Sequence, residues 1–182
     1  MQQVAEGVFF CEKERQRISA FSYLVGRNCD QFVVSLHHNN ISKKNMYPEE
    51  MVAPMRTDLT SAGVVELKTA EDVEHALNSK EGTTLVLVNS VCGCAAANAR
   101  PAVKLAIQNS KIPTNIATVF AGVDTAATAK ARTYMEPFPP SSPSIALFKD
   151  GKLVHFIERH HIEGATAEMV AENLVGAFDE YC

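Results

Sequence analysis

The 182-residue sequence has no tryptophan, no long apolar segment and no excess of positive charge. It contains 17 basic and 21 acidic side chains, a balance that argues against a surface built to neutralise a nucleic-acid backbone. No segment approaches the roughly 18 apolar residues of a membrane span, and the start lacks the basic and apolar regions of a secretory signal. We therefore expect one compact domain without nucleic-acid or membrane partners.

Cysteine is also scarce in this chain. Five cysteines are too few for a disulfide-stapled secreted scaffold of this length, and an odd number cannot all pair within one molecule. This usage fits a reducing compartment, where paired cysteines usually carry out chemistry or bind metal.

The charge distribution divides the chain near Met46. Residues 1–45 contain 6 basic and 4 acidic side chains, whereas residues 46–182 contain 11 and 17, together with all eight prolines. The first segment has only short apolar clusters and no sustained helical period. We interpret it as an extension: a disordered tail, a small added element, or the product of a start placed upstream of Met46. Its two cysteines, Cys11 and Cys29, are interpreted as ordinary thiols, and residues 46–182 as the working domain.

Beyond Met46 the apolar pattern alternates between helical and strand periods. Helices are predicted over 49–59, after a capping box at 69–72, over 92–109, after Asp124 as N-cap, and over about 170–181; strands are predicted over 64–67, 83–89, 116–121, 144–148 and 153–157. Pro101 is expected to kink the helix over 92–109, because proline removes a backbone hydrogen bond. Asp150-Gly151 between two apolar runs indicates a hairpin.

This element order predicts the fold class. Parallel βαβ units need crossover connections, and a terminal hairpin adds only antiparallel strands to the same sheet. We therefore expect an α/β domain with a mixed central sheet, helices on both faces, and a C-terminal β-hairpin followed by a helix.

The strongest chemical signal is Cys92-Gly93-Cys94, at the carboxyl end of the predicted central strand, where a helix begins. Open α/β sheets bind and react at this edge. Free backbone N–H groups and the helix dipole favour a thiolate there, and the pKa of such cysteines can fall to roughly 3.5–7.5. Cys92 is the expected nucleophile because it is nearest the exposed first turn. Its thiolate would attack a disulfide sulfur and form a mixed disulfide.

The single residue between the cysteines affects the next step. Side chains at i and i+2 of a helix do not face each other, so Cys92 and Cys94 are expected to pair only if the turn unwinds. Gly93 would permit this by adopting dihedrals closed to other residues. A strained disulfide makes Cys94 a slow resolver and favours a long-lived mixed disulfide on Cys92. The chemistry indicated is removal of small-thiol caps from proteins.

Two other interpretations of the motif stay open. Paired cysteines can pack as small hydrophobic side chains. They are also soft ligands for Zn, Cu(I) or an Fe–S cluster, although no second pair at short spacing completes the four ligands of structural zinc. His160 and His161 are adjacent and would point to different faces of a strand, so they are expected to be surface or turn residues.

Several segments in combination resemble a known family. They are Val88-Asn89-Ser90-Val91-Cys92-Gly93-Cys94-Ala95-Ala96, Ala99-Arg100-Pro101, Thr118-Val119-Phe120-Ala121-Gly122, Ser141-Ser142-Pro143-Ser144, Val154-His155-Phe156-Ile157, Arg159-His160 and Ile162-Glu163-Gly164. In these segments the chain resembles the bacilliredoxins. The resemblance covers residues 46–182 and leaves out residues 1–45.

The resemblance implies a thioredoxin-like fold and a cytoplasmic thiol–disulfide oxidoreductase that removes bacillithiol from S-bacillithiolated proteins. It implies that Cys92 attacks the mixed disulfide and retains the bacillithiol, while Cys94 resolves or tunes it. No bound cofactor is expected; bacillithiol is the co-substrate thiol, and an NADPH-dependent flavin disulfide reductase completes the cycle. The alternatives are a general disulfide reductase or isomerase and a thiol sensor without turnover.

Other residues are candidates for supporting roles. In thioredoxin-like folds a cis-proline precedes the strand beside the active cysteines, and Pro143 occupies that place, where neighbouring backbone could pair with an incoming chain. Cys182 is a candidate for a second redox contact or a free thiol at a helix end. Arg100 and Arg159 could attract the carboxylates of bacillithiol or be solvated surface charges.

Overall fold

The computed structural model describes residues 46–78 and 81–182. The helices are α1 (Glu49–Thr60), α2 (Ala70–Leu77), α3 (Arg100–Ala106), α4 (Thr125–Thr133), α5 (Arg159–Glu163) and α6 (Ala167–Tyr181), and a π-helical turn (Ala95–Ala99) leads into α3. The strands are β1 (Val65–Glu66), β2 (Thr83–Asn89), β3 (Asn115–Phe120), β4 (Ser144–Lys149) and β5 (Lys152–Ile157). The interpretation of residues 1–45, with Cys11 and Cys29, lies outside the described residues. In the part that is described, no helix is long and apolar enough to cross a membrane.

The strands form one five-stranded sheet in the order β1-β3-β2-β4-β5. β3 runs parallel to β1 and β2, whereas β4 runs antiparallel to β2 and β5. β2 is buried along its whole length, as its uninterrupted apolar sequence predicted. The prediction of a thioredoxin-like α/β fold with a mixed sheet and a terminal hairpin plus helix is confirmed. The short helix α5 was not predicted.

Helices cover both faces of the sheet. Successive side chains of β2 point to opposite faces. Leu85 and Leu87 therefore pack in a core with residues of α1, α3 and α6, whereas Val86 and Val88 pack in a second core with residues of α2 and α4. Each such side chain, once buried, contributes about 1.5–3 kcal/mol. The two cores hold β2, and thus the motif that follows it, in the centre of the domain.

The helix predicted over 92–109 is interrupted ahead of Pro101. Proline has no N–H to donate to the carbonyl of Ala97, four residues earlier. The chain widens instead into the π-helical turn, where the Arg100 N–H donates to the Ala95 carbonyl, five residues earlier. The predicted loss of the backbone hydrogen bond at Pro101 is thus accompanied by a π-helical turn, the kink itself stays a prediction, and α3 ends at Ala106, short of residue 109.

Two local turn signals are confirmed. Thr69 Oγ1 accepts a hydrogen bond from the Asp72 N–H, and the Asp72 carboxylate accepts one from the Thr69 N–H, which completes the capping box. Asp150 and Gly151 have φ values of 51° and 75°, the left-handed pair that a two-residue hairpin turn requires. Asp150 Oδ1 also accepts from the Gly82 N–H at 3.1 Å, which ties the hairpin to the start of β2.

Asp124 occupies the N-cap position of α4 as predicted, but its side chain makes no capping hydrogen bond. Its two carboxylate oxygens accept hydrogen bonds of 2.9 Å from Arg56 instead. Arg56 also donates to Glu49 and Glu66, and its guanidinium lies 5.3 Å from the centre of the Phe120 ring. A bidentate, charge-assisted pair is stronger than a bond to a neutral N–H, so the carboxylate turns to the arginine.

Candidate active site around Cys92 and Cys94

The two cysteines of the motif lie just beyond β2, where the chain enters a helix. The helical turn begins at Gly93, and the Ala96 N–H donates to the Cys92 carbonyl, so Cys92 stands at the cap of this turn. Both cysteines are free, and their Sγ atoms are 2.7 Å apart. The expectation that the sulfurs meet only after unwinding is wrong, because Cys92 precedes the helical turn and i, i+2 helical geometry does not separate the side chains.

Hydrogen-bond partners surround the Cys92 sulfur. The Ala95 N–H donates to it at 3.4 Å, Ser90 Oγ lies 3.2 Å away, and the Cys94 thiol is the third contact. Burial by itself raises the pKa of this thiol, but these contacts and the positive charge of Arg159 hold the Cys92 pKa below its ordinary value. The geometry therefore favours Cys92 as the thiolate and nucleophile.

Cys94 has the opposite electrostatic environment. Burial raises its pKa, and so do the hydrogen bond to Cys92 and the negative charge on that sulfur. Glu163 Oε1 lies 3.8 Å from Cys94 Sγ and raises the pKa further. Cys94 is thus the protonated partner, and its one thiol hydrogen has two acceptors within reach, the Cys92 sulfur and the Glu163 carboxylate.

These environments predict different pH dependences for the two thiols. Since the Cys92 pKa is lowered, Cys92 should react with iodoacetamide below the ordinary thiol pKa and lose reactivity only as the pH falls through the lowered value. Cys94 should become reactive only above the ordinary value. Short alkylation pulses across a pH series, resolved by peptide mass spectrometry, measure both midpoints. Equal midpoints for the two cysteines would contradict the assignment.

Gly93 lies between the cysteines, and the reason predicted for its presence is wrong. Its φ is not in the left-handed region, in contrast to Gly122 at 84°. A Cβ added at Gly93 would meet nothing within 4 Å, whereas one at Gly122 would lie 3.0 Å from the Tyr47 ring. Gly93 therefore supplies open space beside the sulfurs, not an unusual backbone conformation.

Gly93→Ala is expected to be as stable as the wild type or up to about 1 kcal/mol more stable. An unfolded chain with alanine has less conformational entropy than one with glycine, so less entropy is lost on folding. The added methyl group should slow attack on a protein disulfide more than attack on cystamine, since it occupies space next to the sulfurs. Urea denaturation and the two exchange rates measure these effects. Gly122→Ala is the contrasting control and should be destabilised. A Gly93→Ala protein as unstable as Gly122→Ala would refute the open-space interpretation.

Strand β4 brings Pro143 to the motif. Val88 pairs with Ser144 in the antiparallel register, so the residue before Ser144 lies beside the end of β2. The Ser142–Pro143 bond is cis, as predicted, and Pro143 is buried. A second cis bond, Glu136–Pro137, was not predicted. Alignment of a substrate chain by Pro143 stays a prediction.

Helix α5 adds Arg159 to the site. Its Nε donates to Glu163 at 2.6 Å, its Nη1 donates to the Ser142 carbonyl at 3.1 Å, and its charge acts on both cysteines. Asn98 in the π-helical turn holds α5 in place, because its Nδ2 donates to the Ile162 carbonyl at 2.8 Å. Arg159 was expected to attract carboxylates or to be a solvated surface charge, and Glu163 was not singled out by the sequence pattern. The Ile162-Glu163-Gly164 segment of the family resemblance was the only signal for Glu163.

Arg100 is neither a surface charge nor exposed to a substrate. It is 6% exposed, and it donates to Asp58 at 3.2 Å, to Asn89 Oδ1 at 3.2 Å and to the Ser90 carbonyl at 3.4 Å. Both roles suggested for it are therefore wrong. Its contacts fix the segment that leads from β2 to Cys92.

Cys182 lies far from the cysteine pair. It is near the distant end of the active-site helix, the helical segment 93–106 that begins at the motif. The side chain of Asn109, just beyond α3, donates to Asp179 near the end of α6 at 3.3 Å. The helical path from Gly93 to Ala106 covers about 20 Å at the usual rise per residue. Cys182 is exposed at that distant end, so a second redox contact through it would involve another molecule.

The two adjacent histidines also lie on α5 rather than on a strand. His160 and His161 are both exposed, as expected, and their ring centres are 3.8 Å apart. Within residues 46–78 and 81–182, no group of three or more His, Cys, Asp or Glu side chains is arranged to hold a metal ion.

Comparison with known proteins identifies the family. A family model described as disulphide isomerase matches residues 47–182. A bacilliredoxin of Cytophaga hutchinsonii is 57% identical over 135 residues, which are 74% of this chain and 99% of the relative. The chain belongs to the bacilliredoxin family. A bacilliredoxin of Halalkalibacterium halodurans is 50% identical over 149 residues, which are 82% of this chain and 99% of the relative. Among solved structures, reduced Schistosoma mansoni thioredoxin aligns with a TM-score of 0.44 at 19% identity, covering 63% of this chain and 97% of that chain.

Family membership and the thioredoxin-like fold together make this bacilliredoxin a thiol oxidoreductase. The matched region contains the whole arrangement described above: the cysteine pair after β2, the proline before β4, and the charged pair on α5. The chemistry of this bacilliredoxin therefore follows from the different environments of two adjacent sulfurs.

Proposed function

We propose that this bacilliredoxin removes bacillithiol from S-bacillithiolated client proteins through a mixed disulfide on Cys92. The observation that carries the proposal is the asymmetry of the two sulfurs. Cys92 contacts the Ala95 N–H, Ser90 Oγ and the Cys94 thiol, which stabilise a thiolate, whereas Cys94 is held protonated. The names of the relatives support bacillithiol as the small thiol.

The first step is attack by the Cys92 thiolate on the bacillithiol sulfur of the client disulfide. The bond between the client sulfur and bacillithiol breaks, and the client cysteine leaves as a thiolate that takes a proton from water. The open space at Gly93 gives the disulfide access to Cys92. Backbone beside Pro143 is available to pair with the client chain, as in strand-addition recognition of peptides. The client is released reduced, and bacillithiol remains on Cys92.

The second step restores the Cys92 thiolate. A free bacillithiol thiolate attacks the bacillithiol sulfur on Cys92, forms bacillithiol disulfide and expels Cys92. Low-pKa thiols leave faster, so the contacts that stabilise the Cys92 thiolate for attack also favour its departure. In a reducing cytoplasm, an NADPH-dependent flavin disulfide reductase would then reduce the bacillithiol disulfide. The chain itself needs no bound cofactor for either step.

The test uses the Cys94→Ala protein with a bacillithiolated client. We expect reduced client and a bacillithiol adduct on Cys92, identified by peptide mass spectrometry, and Cys182→Ser should behave as the wild type. The same client carrying glutathione, assayed beside it, shows which small thiol is preferred. A client that stays blocked would refute the proposal.

A general disulfide reductase is the second candidate, because sulfurs 2.7 Å apart are close enough for exchange between them. That activity would reduce disulfides between two protein cysteines, without a small thiol as one of the two partners. A sensor differs from both, since its capped Cys92 would not turn over when bacillithiol, a flavin disulfide reductase and NADPH are supplied. NADPH oxidation coupled to release of client separates the enzyme from the sensor.

A further inference from the structure

Glu163, at the end of α5, contacts the second cysteine but has no part in the two steps above. Its Oε1 lies 3.8 Å from Cys94 Sγ. The same oxygen accepts from Arg159 Nε at 2.6 Å and lies 2.5 Å from Arg159 Nη2. The side chains of Arg159 and Glu163 are 46% and 45% exposed, so either can be replaced without opening the core.

The carboxylate affects Cys94 in two ways. As a negative charge beside the sulfur, it disfavours ionisation of the thiol. It also engages two nitrogens of the Arg159 guanidinium, the positive charge that would favour a thiolate, while the third nitrogen donates to the Ser142 carbonyl. The titratable and charged groups that act on Cys94 are Cys92 on the preceding turn, and Arg159 and Glu163 on α5.

We propose that Glu163 keeps Cys94 protonated and thereby directs the mixed disulfide on Cys92 towards release by an external small thiol instead of closure onto Cys94. Glu163 is a positioning residue, because it acts through Cys94 and Arg159. The inference rests on the proposed function for the presence of a small thiol on Cys92, but the charge arrangement does not depend on which thiol it is.

The two routes from the mixed disulfide differ in the attacking sulfur. For closure, Cys94 first loses its proton to water, and its thiolate attacks the Cys92 sulfur. The bond between Cys92 and the small thiol breaks, the small thiol leaves as a thiolate that takes a proton, and the two cysteines are oxidised to a disulfide. For external release, a second small thiolate attacks the small-thiol sulfur and frees Cys92. Since the two protein sulfurs are 2.7 Å apart when both are free, we expect the ionisation of Cys94, rather than distance, to limit closure.

The experiment follows closure in the full-length chain. Reduced wild-type and Glu163→Gln proteins are mixed with glutathione disulfide, quenched with acid, and the glutathionylated Cys92 and the Cys92–Cys94 disulfide are quantified by peptide mass spectrometry. Removal of the negative charge should lower the pKa of Cys94 and increase its thiolate fraction near neutral pH, and the lower nucleophilicity of that thiolate offsets about half of the gain on a logarithmic scale. We therefore expect closure severalfold faster near neutral pH in Glu163→Gln.

Two variants serve as controls for this test. Glu163→Asp retains the charge and should stay near the wild-type rate. Glu172→Gln makes the same change at an exposed position of α6 and should match the wild type.

A second measurement separates an electrostatic role from a purely structural one. In the Cys92→Ser background, the pH midpoint for alkylation of Cys94 should be lower with Glu163→Gln than without it. Unchanged closure rates together with an unchanged midpoint would overturn the inference. Failure of the proposed function has a different signature, a bacillithiolated client that stays blocked, which the glutathione assay does not involve.

Discussion

Cys92→Ser is expected to reduce disulfide exchange to the uncatalysed rate, whereas Cys94→Ala retains the first exchange step, slowed because the Cys92 thiolate loses its hydrogen bond with Cys94. Only a thiolate attacks a disulfide sulfur, and a serine hydroxyl is not ionised near neutral pH. The Ala95 N–H and Ser90 contacts that stabilise a thiolate at this position cannot make up for the missing sulfur. The loss should therefore be complete at every pH at which Cys94 stays protonated.

Release of the client thiol, followed in a single turnover with excess bacilliredoxin, measures this effect. Cys182→Ser is the matched control, because it removes an exposed sulfur at the other end of the active-site helix and should keep the wild-type rate. Client release by Cys92→Ser at the wild-type rate would assign the attack to Cys94.

Arg56→Met is expected to lower the free energy of unfolding by about 3–5 kcal/mol, the usual cost of removing one partner from a buried ion pair. Arg56 is 8% exposed and donates to three carboxylates, those of Glu49, Glu66 and Asp124. Burial lowers the pKa of its guanidinium, but the hydrogen bonds that it donates to Asp124 and Glu66 more than reverse this and raise the pKa overall. Without Arg56, the Asp124 carboxylate stays largely buried without the charge that it pairs with, and Glu66 retains its ion pair with Lys68 at 3.3 Å.

The effect should extend to the active site. Val91, immediately before the motif, packs on a small core of Val52, Phe120 and Val123, and Arg56 lies over the Phe120 ring. Chemical denaturation measures the stability loss, and the alkylation midpoint of Cys92 reports any change in the motif.

Two further variants test the cause of the Arg56 effect. Lys152→Met removes a positive charge from the exposed start of β5 and should change stability by less than about 0.5 kcal/mol. Adding Asp124→Asn to Arg56→Met should recover part of the loss, because a neutral amide is less costly to bury unpaired than a carboxylate. A loss below about 1 kcal/mol for Arg56→Met would show that the network behaves as a surface ion pair.

The features of this bacilliredoxin that could be predicted from the sequence are those encoded over short distances. The unbroken apolar segment Leu85-Val86-Leu87-Val88 predicted a strand covered on both faces, and both faces are covered. Asp150-Gly151 predicted the hairpin turn, and the 69–72 segment predicted a capping box. Cys92 and Cys94 stood out because their residue type and their place after a strand already point to thiol chemistry.

The contacts that depend on distant segments could not be predicted in this way. The Asp124 carboxylate was available to a helix N-terminus or to an arginine, and only the packing of α1 against Phe120 and Val123 at the end of β3 brings Arg56 within 2.9 Å. Arg100 looked like an ordinary charged residue until the structure showed it buried against Asn89 and Ser90. The role expected for Gly93 failed because sequence spacing did not show where the helical turn begins.

The sequence by itself determined the order of the strands and of the helices other than α5, the mixed sheet and the candidate cysteine pair, since periodicity and residue type act locally, and the family resemblance indicated Pro143. The tertiary structure decided the contacts that favour a thiolate at Cys92 and oppose one at Cys94. Folding places the Cys94 thiol, Ser90 Oγ and the Ala95 N–H around the Cys92 sulfur, whereas burial, the neighbouring Cys92 sulfur and, from the distant α5, Glu163 oppose ionisation of Cys94. These effects depend on distance in space rather than on separation in sequence.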